Sequence, residues 1–350
     1  MSPRARPTQA STASISTPKH APRSPKRTTL CYAASVHENV LLSHIFARTR
    51  SLVETFPQVL LGPGDDCAVV DANDGAPMLL KVDQVIEHRH FTSQTPFELI
   101  ARKALARPLS DIAAMAGSPV AALAACVLPR RFSQDKATEL FDTLHNAAVA
   151  LNLPIVGGDL ATTGHPDAPI ALSISLIGKV HPRRGPVRRD SAAAGDFVYV
   201  TGTIGDTYHA DPTEQHPFPG GGHHLTFTPR LREAAWLAEG LDNDLHAMMD
   251  ISDGLGLDAA RLARASGVRI EIDAAAIPLR TPSRGPRQSL ADGEDYELLF
   301  TAAPDAAVPR TIASLGTSIT RIGVVTQGSG CVLLHEGKTI DIADAGWEHE

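Results

Sequence analysis

Seven aspartates fall in five short patches: GDD (Asp65, Asp66), VDQ (Asp83), LSD (Asp111), GGD (Asp159) and DISDG (Asp250, Asp253). Each lies at or near the end of an apolar run, beside small residues. Taken singly they read as turn and cap residues, because Asp bonds readily to nearby backbone. Taken together they pose an electrostatic problem. Two unit charges about 4 Å apart repel by roughly 4 kcal/mol at an effective dielectric near 20. Several such pairs exceed the ~5–15 kcal/mol that holds a domain together. If the patches converge, cations must sit among them, and hard oxygen donors without His or Cys favour Mg²⁺. Mg²⁺ typically binds through one or two carboxylates together with substrate phosphates. No Ser-His-Asp or Cys-His set competes, so no acid–base catalytic residue is assigned.

The elements that must position these acids alternate between helical and extended patterns. HENVLLSHIFART has helical spacing from about Val36 onward. VLLGPGDDCAVVDA and PMLLKVDQVIEHRHF read as strands, which places His90 in a strand. FELIARKALA reads as a helix interrupted at Pro108, resuming as SDIAAMAG with Ser110 as a cap. VAALAACVLP, LPIVGGDLATTG and APIALSISLIGKV are strands, and DKATELFDTLHNAAVALN is an amphipathic helix. A basic connector, HPRRGPVRRDSAAAGD, marks the domain boundary. Beyond it come the strand FVYVTGTIGD, a Gly/His/Pro-rich loop, a helix at TPRLREAAWLAEG, a helix after DISDG, and the strands VRIEIDAAAIPL, ADGEDYELLFT and TRIGVVTQ. This alternation indicates α/β or α+β architecture.

The bulk composition narrows the class. At 350 residues and 43% hydrophobic content there is material for two domains. A net charge of −7 with local acidity argues against a nucleic-acid binder. Four scattered cysteines without CxxC spacing argue for a reducing, cytoplasmic setting and against a zinc ribbon. No apolar run is long enough to span a bilayer, and neither a Rossmann nor a P-loop glycine signature is present. Residues 1–34, rich in Ser, Thr, Pro and basic residues, read as a disordered extension; residues 35–182 and 183–350 are the two expected domains.

The motifs GPGDDCAVV, LSDIAAMAG, IVGGD, YVTGTIGD, DISDGLGLDAARLARASG, AIPL and GEDYELLF stand in an order that resembles the thiamine-monophosphate kinase family. The resemblance runs from about Val36 to the C-terminus. The wider superfamily includes aminoimidazole ribonucleotide synthetase and selenophosphate synthetase. It implies a two-domain fold, with an N-terminal sheet domain that dimerises and a C-terminal α/β sandwich domain. It implies ATP-dependent, Mg²⁺-dependent conversion of thiamine monophosphate to thiamine diphosphate by a homodimer. By motif match, Asp66, Asp83, Asp111, Asp159, Asp250 and Asp253 would hold several Mg²⁺ ions. Gly158, Asp159, Arg189 and Ser252 would contact ATP, with the helix start after DISDG facing a phosphate. His90, Glu294 and Trp347 would contact the thiamine substrate.

Three departures bear on this expectation. Lys81 and Val82 stand where the family carries hydroxyl residues before Asp83, and strand alternation puts Lys81 on the face of Asp83. The expectation is that its ammonium replaces one Mg²⁺. Pro108 stands where the family has Asn, and Asp292 replaces a glycine and adds charge near Glu294. These changes keep two other readings open: a superfamily relative acting on another small phosphorylated or carboxylate substrate, and a non-catalytic ATP-binding regulator.

Overall fold

A computed structural model describes residues 38–49, 51–72, 75–207, 222–281 and 285–346. The N-terminal extension, most of the Gly/His/Pro-rich loop and Trp347 lie outside the described residues. The elements run α1 (Glu38–Thr49), α2 (Leu52–Thr55), β1 (Val59–Leu61), β2 (Ala68–Val70), β3 (Met78–Ile86), α3 (Phe97–Ala114), β4 (Ser118–Leu128), α4 (Gln134–Ala150), β5 (Ile155–Thr162) and β6 (Ala171–Lys179). After the connector come β7 (Phe197–Thr201), α5 (His223–Thr226), α6 (Leu231–Leu241), β8 (Leu245–Asp250), α7 (Leu255–Ser266), β9 (Arg269–Asp273) and α8 (Pro286–Ser289). The chain closes with β10 (Leu298–Ala302), β11 (Thr311–Ile312), β12 (Thr317–Thr326), β13 (Gly330–His335) and β14 (Lys338–Asp341).

These strands build two mixed sheets. The first has the order β1-β2-β3-β6-β4-β5, antiparallel except where β4 meets β5. The second runs β14-β13-β9-β12-β7-β10-β8, with β11 on β12, and is antiparallel except where β13 meets β9. Period-two alternation gives the first sheet one covered face, where Leu79, Val85, Leu172, Ile174 and Leu176 pack with α3 and α4. Its other face stays open and carries Leu80, Val82, Leu123, Val127 and Ile177.

Helix α3 belongs to both cores. Leu105, Leu109 and Ile112 pack into the first sheet's core, while Ala113 joins the cluster formed by α6, β8 and β10. The helix runs unbroken through Pro108, contrary to the expected interruption. Proline removes one intrahelical donor and crowds the preceding turn, but thirteen of the helix's eighteen residues are buried, and that packing holds it. Ser110 therefore caps nothing. It sits mid-helix and uses its hydroxyl elsewhere.

Candidate functional site

The acids converge where α3 passes between the sheets. One carboxylate oxygen each from Asp66, Asp111 and Asp250 lies within 4.8 Å of the others, and all three residues are buried. Asp66 follows the loop from β1, Asp111 comes from the last turns of α3, and Asp250 ends β8. Ser110 Oγ donates a 2.6 Å hydrogen bond to Asp250 Oδ2. Burial pushes the Asp250 carboxyl up to about 6, and the Ser110 bond partly offsets that rise. Burial also raises Asp66 and Asp111 above the ordinary carboxylate range.

Two basic side chains partly balance the cluster. Lys81 Nζ lies 2.6 Å from Asp111 Oδ1 and 3.7 Å from Asp83 Oδ1, so alternation along β3 does place Lys81 and Asp83 together. Arg189, from the connector, reaches back across the chain. Its Nη2 donates to Asp66 Oδ1 at 2.6 Å, and its Nε and backbone N–H donate to the two oxygens of Asp65, each at 3.2 Å. Burial, followed by the charge of Asp66, raises Asp65 to about 6 despite Arg189.

Of the six expected metal residues, Asp83 meets the three-carboxylate cluster only through Lys81, and Asp159 and Asp253 stand apart from it. Asp159 pairs with Ala125 across β5 and β4, which puts it on the open face with Leu123 and Val127. Gly158 beside it packs so tightly that a Cβ would meet Ala124 O at 1.8 Å. Asp253 is ion-paired with Arg261 Nη1, which also holds Asp258 at 2.8 Å. The start of α7 is closed rather than open to a phosphate. Asp258 Oδ2 accepts from the backbone N–H groups of Ser252 and Asp253, while Gly256 and Leu257 donate to the carbonyls of Leu290 and Ala345. Gly254 makes this entry possible. Its φ of 115° favours glycine, and a side chain there would strike Leu290 O at 2.8 Å.

The residues expected at the substrate end meet through a lysine. His90 is not in a strand: it lies in the turn between Glu87 and Phe91, where its Nδ1 accepts from Ile86 N–H at 2.9 Å. Its carbonyl accepts from Lys103 Nζ at 2.9 Å. The same ammonium donates to Glu294 Oε2 at 2.6 Å and lies 3.0 Å from His224 Nδ1. Glu294 sits in GEDYE, which is a loop rather than part of β10, with a φ of 64°. Burial opposes its charge, but Lys103, His224 and Arg107 more than compensate and hold its carboxyl well below the ordinary range. Burial lowers Lys103 to about 8, with Glu294 resisting the shift. Beside them the rings of Phe227 and Tyr296 stack at 3.9 Å. Asp292, expected to add charge near Glu294, accepts from Asp206 N–H at 2.8 Å.

Lys103, Arg107, His224 and Asp258 escape the motif reading. A signal for two of them was present. Lys103, Arg107, Ser110 and Asp111 recur at helical spacing, which draws one polar stripe along an otherwise apolar α3.

Models of the AIR synthase related family match the chain in two parts, the N-terminal domain at residues 64–180 and the C-terminal domain at 193–336. A thiamine-monophosphate kinase from Rhodopirellula baltica is 33% identical over 84% of this chain and 90% of its own. The chain belongs to the thiamine-monophosphate kinase family. Within that family, the enzyme from Escherichia coli K12 is 29% identical over 88% of this chain and 97% of its own. Among solved structures, AaThiL complexed with AMPPCP and TMP matches with a TM-score of 0.74 and 28% identity, covering 91% of this chain and all of that one. The thiamine-monophosphate kinase from Stenotrophomonas maltophilia K279a matches with a TM-score of 0.62 and 28% identity, over 84% and 96% of the two chains.

Proposed function

We propose that this protein transfers the γ-phosphoryl group of ATP to thiamine monophosphate, giving ADP and thiamine diphosphate. One observation carries this reading: Asp66, Asp111 and Asp250 form a buried acidic cluster in a chain whose fold matches AaThiL complexed with AMPPCP and TMP. AMPPCP is an ATP mimic with a methylene between its last two phosphorus atoms, so that neighbour holds donor mimic and acceptor together. The retained cluster disfavours the non-catalytic alternative.

The cluster fits a divalent cation. Asp66 Oδ2 is buried without a hydrogen-bond donor, and all the donor atoms are hard oxygens. Asp66, Asp111 and Asp250 would hold Mg²⁺, which when bound supplies neutralisation of charge on the phosphate oxygens. Arg189 orders the GDD loop by engaging both of its carboxylates. Gly158, Asp159, Arg189 and Ser252 remain the proposed ATP contacts.

At the other end, Lys103 fixes the His90 turn and the Glu294 loop to one ammonium. The ionised Glu294 offers a fixed negative charge to a cationic thiazolium ring. The acceptor phosphate is already an anion, so the chain needs no general base, and none stands in the cluster.

The open face of the first sheet supports a homodimer. Leu80, Val82, Leu123, Val127 and Ile177 leave an apolar surface of the kind that marks an association site. Asp159 shares that face, so it would meet the partner rather than its own chain's cluster. The free, buried thiols of Cys67, Cys126 and Cys331 suit a reducing cytoplasm, and among the described residues no helix is long and apolar enough to cross a membrane.

The reading is tested with Asp111→Asn, which keeps the shape of the side chain and removes its charge. Formation of thiamine diphosphate, followed by its fluorescent oxidised form, falls by roughly a hundredfold or more, because a catalytic metal is worth several kcal/mol. Undiminished turnover contradicts the assignment.

A further inference from the structure

We infer that Lys81 is a resident cation of the acidic cleft, filling a position that a divalent ion would otherwise take, so that this chain binds one metal ion fewer than its carboxylates alone would admit. The inference rests on the Mg²⁺ reading of the cluster. Its geometric basis is the position of Nζ, 2.6 Å from Asp111 Oδ1 and 3.7 Å from Asp83 Oδ1. An ammonium there sets a positive charge between these two carboxylates. A long lysine stem on a strand ordinarily carries its charge to water. This one turns inward instead, and only 21% of its side chain is exposed.

The charge inventory agrees. Asp65, Asp66, Asp83, Asp111 and Asp250 are five carboxylates in and around the cleft. Lys81 lies against Asp111 and Asp83, and Arg189 against Asp65 and Asp66. Arg107, one helical turn before Asp111, donates from Nη1 to Gln84 O at 3.2 Å. Five carboxylates against two ion-paired cations leave an excess of negative charge for a divalent ion to meet.

The remaining donors are those that Lys81 does not engage. Asp66 Oδ2 has no hydrogen-bond partner, and Asp250 meets Ser110 through Oδ2. The first ion would be held by Asp66 and Asp250, with Asp111 shared between that ion and Lys81. The position between Asp83 and Asp111 is the one already filled.

The test counts ions directly, without reading turnover. The metal-free full-length protein is titrated with Mn²⁺, and free ion is followed by electron paramagnetic resonance. Wild type and Lys81→Ser are compared, together with the double variant Lys81→Ser/Asp83→Asn. The expected result is one more Mn²⁺ per chain for Lys81→Ser than for wild type, with the extra ion lost again in the double variant. Equal counts for wild type and Lys81→Ser overturn the inference. If Lys81→Ser fails to fold, Mn²⁺ soaked into wild-type crystals decides by its anomalous scattering. No peak between Asp83 and Asp111 supports the inference, and a peak there overturns it. The kinase reading is judged separately, by formation of thiamine diphosphate in the wild type, so failure of one leaves the other readable.

Discussion

Ser110 on α3 donates its hydroxyl to Asp250 at the end of β8, at 2.6 Å, so a helix packed on the first sheet steadies a carboxylate delivered by the second. A buried hydrogen bond to a charged group is worth about 1.5–3 kcal/mol. Ser110→Ala should therefore lower the unfolding free energy in metal-free buffer by about 2 kcal/mol. Urea denaturation measures this, and a loss under 0.5 kcal/mol, roughly the range of a neutral surface change, would count against the link.

Arg189 supplies positive charge to Asp66, whose carboxyl is otherwise enclosed among acids. Removing one partner of a buried pair costs about 3–5 kcal/mol, because the other charge stays behind uncompensated. Arg189→Ala should be destabilised by about that amount without metal, and Mg²⁺ should recover part of the loss by binding the freed carboxylates. Thermal melts with and without Mg²⁺ test both statements.

Lys103 gives a pH signature. Its pKa is about 8 in the folded protein against an ordinary 10.5, with burial as the main cause. Above pH 8 the ammonium loses its proton, and Glu294, His224 and the His90 carbonyl lose the charge that gathers them. KM for thiamine monophosphate should rise as pH increases from 8 to 10, while KM for ATP changes much less. Between 8 and 10.5 the unfolded chain holds a proton that the folded chain has released, so this group raises stability with pH. Weaker substrate binding without a matching loss of stability separates positioning from unfolding. Lys103→Met should show the high KM at every pH, about tenfold above wild type, equivalent to about 1.4 kcal/mol.

The open sheet face predicts an association test. Val82 is 58% exposed and shares that face with Leu80 and Leu123. A charge there would be buried without a partner in a dimer and harmless in a monomer. Val82→Glu should convert a dimer to a monomer by light scattering, with little change in the monomer's own secondary structure.

The acid patches were legible because each sits at the end of an apolar element, where strand and helix ends converge. That reasoning found Asp66, Asp111 and Asp250, and strand parity found the company Lys81 keeps. It did not separate Asp159 from the cluster, because a one-residue change of register moves a side chain to the opposite face. Asp253 lies ahead of α7, where the turn at Gly254 and the bond from its N–H to Asp258 bring it to Arg261, a contact that its motif conceals. Pro108 misled through a local rule that tertiary packing overrides. His90 was read as strand because its apolar neighbours continue the pattern, whereas the turn is set by hydrogen bonds from His88 N–H to Phe91 O and from His90 N–H to Ile86 O. Lys103 went unnoticed because a single lysine in a helical run carries no chemistry by itself; its helical alignment with Arg107, Ser110 and Asp111 is the signal that was available.

The most direct measurement is a phosphorus-31 magnetic resonance time course of the purified protein with ATP and thiamine monophosphate, run once with Mg²⁺ and once with excess EDTA. With Mg²⁺, the thiamine monophosphate signal should give way to the paired resonances of thiamine diphosphate, one equivalent of ADP forming for each. With EDTA, neither signal should change. ATP breaking down to ADP and free phosphate while thiamine monophosphate persists, or diphosphate forming at an equal rate in EDTA, would contradict the account.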